Sequence, residues 1–183
     1  MTGTRQRLIL FIVEGEDVEV RLIEAAFHAL GLRDEHHIVP YRTNIHDLLD
    51  RLDRDYDGAY ADIDIRLVLA AAHPEDRGLL LREYSDILLV FDYEPQDNRF
   101  NPERLADFAR TFCESSGPGK LYLNYPMVES YKHFERFGDT DYLDSMVSVS
   151  EIQGYKRWSE MTSPPSTRQR TSRTASSCLG SSP

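Results

Sequence analysis

The sequence predicts a three-layer α/β domain with helices on both sides of a mainly parallel central sheet. Two apolar runs and one change of period carry that expectation. LILFIV at 8–13 and ILLVF at 87–91 are unbroken apolar segments, each stopped at once by acids, Glu14 and Asp92. Such runs fit strands buried on both faces, as in a parallel sheet covered by helices. Directly after the first run the spacing turns helical, so strand, tight turn and helix follow one another as a βα unit.

The elements follow in order. In Glu16–Leu30, Val18, Leu22, Ala25, Ala26 and Ala29 fall on one side of a helix, with Glu19, Arg21 and Glu24 elsewhere, and Gly31 ends it. His37–Tyr41 is a short second strand. Asn44 caps a helix whose inner face is Ile45, Leu48, Leu49 and Leu52. Asp53–Asp64 is acidic and broken by Gly58, which suits a connector, and Arg66–Ala72 and Pro74–Tyr84 read as helical. After the strand 87–91, Asn101-Pro102 caps and opens a helix with Leu105, Phe108, Ala109 and Phe112 inward. Gly117-Pro118-Gly119 turns the chain into a strand at Lys120–Asn124, and Pro126 starts a helix through Phe137. The domain is expected to span 1–160, with an insertion around 54–86. Residues 161–183 are rich in Ser, Thr, Arg and Pro with almost no apolar residue, and are expected to be disordered.

Composition bounds the function. The 183 residues hold 31 Asp plus Glu against 21 Lys plus Arg, for a formal charge of −10. Residues 161–183 contain three arginines and no acid, so the acidic excess lies in the first 160. That surface is unsuited to non-specific nucleic-acid binding through a basic face, yet compatible with phosphate chemistry that takes its positive charge from divalent metal. Two cysteines, Cys113 and Cys178, are too few and too distant for a disulfide framework or a cysteine zinc site. His28, His36, His37, His46 and His73 lack zinc-ligand spacing and read as structural. The N-terminal apolar run is too short for a signal peptide or an anchor, so the expectation is a cytoplasmic protein without membrane contact.

Chemistry is expected where the strands end, because ligands of open parallel sheets collect outside their C-terminal ends. Glu14 follows the first core strand, and Asp92 and Glu94 follow the later one. Glu16, Asp17 and Asp97 lie a few residues further on, and the first two suit the first turn of a helix, where the dipole favours acids. Carboxylates gathered at one sheet edge raise one another's pKa unless a cation sits among them. A hard ion with oxygen ligands, Mg2+ or Mn2+, answers that.

FIVEGEDVEVRLIEAAF resembles the opening of a Toprim domain, in which a strand ends in Glu-Gly before a helix. ILLVFDYEPQD resembles its second motif, a strand ending in Asp-x-Asp, and LNYPMVESYKHF resembles a later Pro-containing segment and helix carrying Glu. The nearer resemblance is to Toprim-like nucleases of bacterial phage-defence systems, the RloB-like and overcoming-lysogenization-defect groups, over residues 8–137. The resemblance implies Glu14, Asp92 and Glu94 as catalytic residues, and the same three with Glu129 as ligands of Mg2+ or Mn2+. Glu94 stands where the family has Asp, one methylene longer. It implies a nuclease hydrolysing phosphodiester bonds in nucleic acid, DNA favoured over RNA, in antiviral defence, with an ATPase or other defence-system protein as partner. Lys120, Lys132 and His133 are candidates for contacting substrate phosphate.

Three rival readings compete with this one. A dinucleotide site fails, since Val13-Glu14-Gly15-Glu16-Asp17 has one glycine and three acids where a pyrophosphate cradle needs glycines. A Mg2+-dependent phospho-acceptor signalling domain would use Asp92 as acceptor and Glu16 with Asp17 as the metal pair, but Lys120 precedes the last core strand's end instead of following it. A non-catalytic regulatory subunit of a defence assembly would use the same acids as a protein surface.

Overall fold

In the computed structural model, the described residues are 7–58, 60–133, 144 and 146–162. The chain is an α/β protein with a five-stranded central sheet in the order β2-β1-β3-β5-β4. Its strands are β1 (Leu8–Val13), β2 (Glu35–Pro40), β3 (Asp86–Asp92), β4 (Cys113–Glu114) and β5 (Gly119–Asn124). The pairs β1–β2, β1–β3 and β3–β5 are parallel, and β4 adds an antiparallel edge hairpin that the sequence did not announce. Helices flank this sheet as expected of a three-layer Rossmann-like fold.

Side-chain alternation in register sorts the sheet into two faces. Leu10, Ile12, Ile87, Leu89 and Phe91 enter the main core, where they meet α2 (Ile45–Tyr56), α3 (Ile65–Ala72), α4 (Arg77–Leu80) and α5 (Pro102–Thr111). Phe91, Phe108 and Phe112 are fully buried there, and each such side chain contributes on the order of 1.5–3 kcal/mol by leaving water. The opposite face carries α1 (Val18–Leu30), whose Phe27 packs edge-on against Phe11 at 5.8 Å and tilts over His36 at 4.0 Å.

Local chemistry sets the boundaries. Asn44, Asp64 and Asn101 each accept a bond from the backbone N–H of Asp47, Arg66 and Arg104, capping α2, α3 and α5. Gly31, at φ 63°, closes α1 in the left-handed conformation with its N–H on His28 O. Gly119 opens β5 at φ 121° against Leu89 and Ile87, a place with no room for a Cβ.

Several expectations need correction. In α1, Ala26 and Ala29 are exposed while Glu19 is buried, because the helix leans on the sheet through Phe27 and its N-terminal end. Pro74–Tyr84 is a 3-10 turn (Pro74–Asp76) and the short α4 in place of one helix. The expected helix from Pro126 is a 3-10 segment over Val128–His133, and its remainder, 134–137, lies outside the described residues. The segment read as an insertion contributes Ile63, Ile65, Val68, Leu69 and Leu80 to the main core. After α6 (Val149–Ile152), α7 (Tyr155–Thr162) packs on Val128–His133 with His133 tilted over Trp158 at 5.0 Å. The expected tail lies outside the described residues from 163 onward. No described helix is long and apolar enough to cross a membrane.

Candidate functional site

The chain leaves β1 toward β2 on one side and returns at β3 on the other, so the strand order reverses between β1 and β3. In such sheets the crevice at the C-terminal ends of the two strands is where ligands bind. Glu14 and Asp92 flank it. The Glu14 N–H continues the ladder by donating to Val90 O at 3.1 Å, and its side chain turns back so that Oε2 accepts the Asp92 N–H at 3.0 Å.

Asp92 pairs in register with Asn124 of β5, whose Nδ2 donates to Asp92 Oδ1 at 3.1 Å. The Val128 N–H donates to the same oxygen at 2.8 Å. Two donors therefore fix one carboxylate oxygen and orient the group. Next in sequence, Glu129 is buried, 3% exposed, and Lys156 Nζ of α7 lies 3.1 Å from its Oε1. Glu19, 7% exposed, accepts the Gly15 N–H through Oε1 at 3.3 Å.

The electrostatics follow from burial and like charge. Burial, then the neighbouring charge of Asp92, pushes the Glu14 carboxyl up to about 8, with Glu94 and Glu19 adding to the effect against the Asp92 N–H bond. Burial raises Asp92 to about 7; Glu19 and Glu129 push the same way, while the Asn124 amide and Val128 N–H oppose them. The crevice thus raises the proton affinity of both Glu14 and Asp92 to the neutral range.

Glu94 stands apart from Asp92. β3 ends at Asp92 and Glu94 takes φ 44°, so the two do not continue on one strand face. Burial raises the Glu94 pKa against the Asn44 amide, and its carbonyl oxygen lies 3.4 Å from His46 Nε2. It therefore faces the α2 side, within electrostatic reach of Glu14. Asp97 is bound by Arg99, whose guanidinium holds its carboxyl well below the usual range, and Arg99 also reaches Asp47 at 2.6 Å. Glu16 is ion-paired with Arg42 at 2.6 Å and is exposed. The carboxylates coupled to Asp92 are thus Glu14, Glu19 and Glu129, whereas the phospho-acceptor reading asks for Glu16 and Asp17.

The phosphate-contact candidates are scattered. Lys120 is exposed, with Nζ 5.5 Å from the Tyr122 ring centre. Lys132 Nζ is 3.6 Å from Glu160, and burial, then Lys132, lowers the pKa of His133 beneath α7. Sequence reasoning missed Glu19, Asn124 and Lys156. Asn124 was findable as the polar end of a third strand beside Asp92; Glu19 was masked among first-turn helix acids, and nothing near Lys156 in the sequence points to the crevice.

A hard divalent ion fits the chemistry of this donor set, which is all carboxylate oxygen and short of positive charge. Among the described residues no three His, Cys, Asp or Glu side chains are already gathered about one point. Mg2+ takes one or two protein carboxylates and completes its shell with water and phosphate oxygens, so a site for it needs no third carboxylate. Comparison of the chain with protein-family models, curated proteins and solved structures gave no match.

Proposed function

We propose that this chain is a Toprim-like, divalent-metal-dependent hydrolase of phosphodiester bonds in nucleic acid, serving in phage defence. The carrying observation is the pair of carboxylates with raised proton affinity, half-buried Glu14 and buried Asp92, joined through the Asp92 N–H at the β1–β3 crossover. Buried carboxylates without cations destabilise a fold, and their placement in a ligand crevice is a mark of function.

Asp92 and Glu14 would hold Mg2+ or Mn2+, with Glu129 beside Asp92 and Glu94 set toward α2, within electrostatic reach of Glu14. The bound ion would polarise the scissile phosphate and offset charge on its oxygens. Asn124 and the Val128 N–H keep Asp92 in one orientation as substrate arrives. Glu14, having given up its proton when a cation binds, would be placed to take the proton of an attacking water. Lys156 pairs with Glu129, which limits the repulsion around Asp92.

The test is cleavage of plasmid DNA, linear DNA and structured RNA in Mg2+, Mn2+ or EDTA by the wild type, Glu14→Gln and Asp92→Asn. Metal-dependent cleavage lost in both folded variants supports the proposal. Cleavage that persists in them, or no cleavage of any substrate, counts against it; the second result favours a regulatory subunit in a defence assembly.

A further inference from the structure

Beyond the carboxylates, the sheet leaves one strip of aromatic and basic surface leading to them. The register Leu88–Lys120, Val90–Tyr122 and Asp92–Asn124 puts Lys120, Tyr122 and Asn124 on the same face as Leu88, Val90 and Asp92. The α1 helix packs over Phe11 and His36 on this side and leaves β3 and β5 less covered: Leu88 and Val90 are half-buried, and Tyr122 is 45% exposed. Tyr122 is two residues from Asn124, roughly 7 Å along a strand, and Asn124 is bonded to Asp92. Lys120 sets its ammonium 5.5 Å from the Tyr122 ring centre. Past the strand end, Tyr125, 50% exposed, lies against Tyr93 with ring centres 5.4 Å apart.

We propose that the nucleic acid taken at this site is single-stranded, and that Tyr122, with Lys120 beside it, is the platform on which a base stacks as the adjoining phosphate approaches Asp92. The proposal rests on the hydrolytic reading of Glu14 and Asp92 and adds the substrate's form. Duplex DNA carries one charge per roughly 1.7 Å and hides its base faces, so it is held mainly by many phosphate contacts. This strip offers one lysine, Lys120, and one exposed tyrosine, Tyr122, beside an acidic crevice whose Lys156 is already paired with Glu129. Unpaired bases can use the ring faces, and a single strand asks for few cations.

The experiment measures binding by fluorescence anisotropy in EDTA, where nothing is cut, using a single-stranded DNA 12-mer, the matching RNA and the duplex. Wild type, Tyr122→Ala, Tyr122→Phe and Lys120→Gln are compared, with melting curves to confirm folding. The expected result is single strand over duplex by at least about tenfold, and a loss of roughly 5- to 100-fold in Tyr122→Ala that Tyr122→Phe restores. A shallow salt dependence, corresponding to about one phosphate contact, should disappear in Lys120→Gln. The DNA and RNA arms show which strand is preferred. Equal or tighter duplex binding, no oligonucleotide binding, or binding indifferent to Tyr122→Ala would overturn the proposal. If Tyr122→Ala does not fold, Lys120→Gln and the salt slope decide it. Cleavage assays separate the two claims: Glu14-dependent cutting of duplex by an unimpaired Tyr122→Ala refutes the platform alone. Tyr122-dependent binding of single strands with no metal-dependent cleavage refutes the hydrolase alone.

Discussion

Replacing Glu14 by Gln should stabilise the metal-free protein, and the gain should depend on pH. Gln keeps a side-chain oxygen to accept the Asp92 N–H, the bond seen at 3.0 Å, and removes only the ionisable proton. The folded protein holds the Glu14 proton up to about pH 8, against 4.5 for the ordinary group. Between those values the folded state binds more protons than the unfolded one, so stability falls as pH rises. The contribution is complete below about pH 4.5 and is gone above about pH 8. At about 1.4 kcal/mol per unit, Glu14 alone costs the wild type roughly 3–5 kcal/mol across that window, and Asp92 adds a cost of the same sign. Urea denaturation in EDTA near pH 5 and near pH 8.5 measures it. The variant should match the wild type at the lower pH and exceed it by several kcal/mol at the higher. A Gln variant no more stable near pH 8.5, or equally favoured at both pH values, would refute the reasoning, because the charge of Glu14 would then not be the buried burden that the crevice implies.

Three further outcomes are expected. Gly119→Ala should destabilise the fold by about 1–3 kcal/mol in the same denaturation assay, since its Cβ would fall 2.6 Å from Leu89 Cδ1 at a backbone φ of 121°. Arg7→Met should lower stability near pH 7 in the same assay, because Asp86 is buried and takes a 3.0 Å bond from Arg7 Nε. Burial raises the Asp86 pKa but Arg7 and Ser115 outweigh it and lower it, so this stabilisation is present above the unfolded pKa and is lost as pH falls; the Arg7 effect should shrink in acid. Asn44→Ala should cost about 1–2 kcal/mol by chemical denaturation, since Asn44 caps α2 and also donates to Asp97.

Much of the fold was legible because the strongest physical signals are local. LILFIV and the run ending at Phe91 have no polar position to face water, so they can only be inner strands, and the acids that stop them fall where the sheet opens to solvent. The caps Asn44 and Asn101 were equally visible, since each needs only its own first helical turn. What escaped depends on tertiary contact. Glu19 looks like any first-turn acid, and its burial arises because the end of α1 closes over the Gly15 turn. Glu94 shares a strand-like spacing with Asp92, and only the turn at φ 44° sends it toward α2. The partner of Glu129 is supplied from α7, 27 positions later, a distance no periodicity spans.

The central claim, that Glu14 and Asp92 form a divalent-cation site, is tested most directly by titrating Mn2+ into the protein near pH 7 in buffers of different ionisation enthalpy. The wild type should bind saturably and release about one proton per ion, because carboxyls raised to about 8 and about 7 must give up protons to bind metal. Glu14→Gln and Asp92→Asn should lose that binding, while Glu16→Gln, altered at an exposed pair with Arg42, should keep it. Undiminished binding in both crevice variants, or no saturable binding by the wild type, would contradict the account.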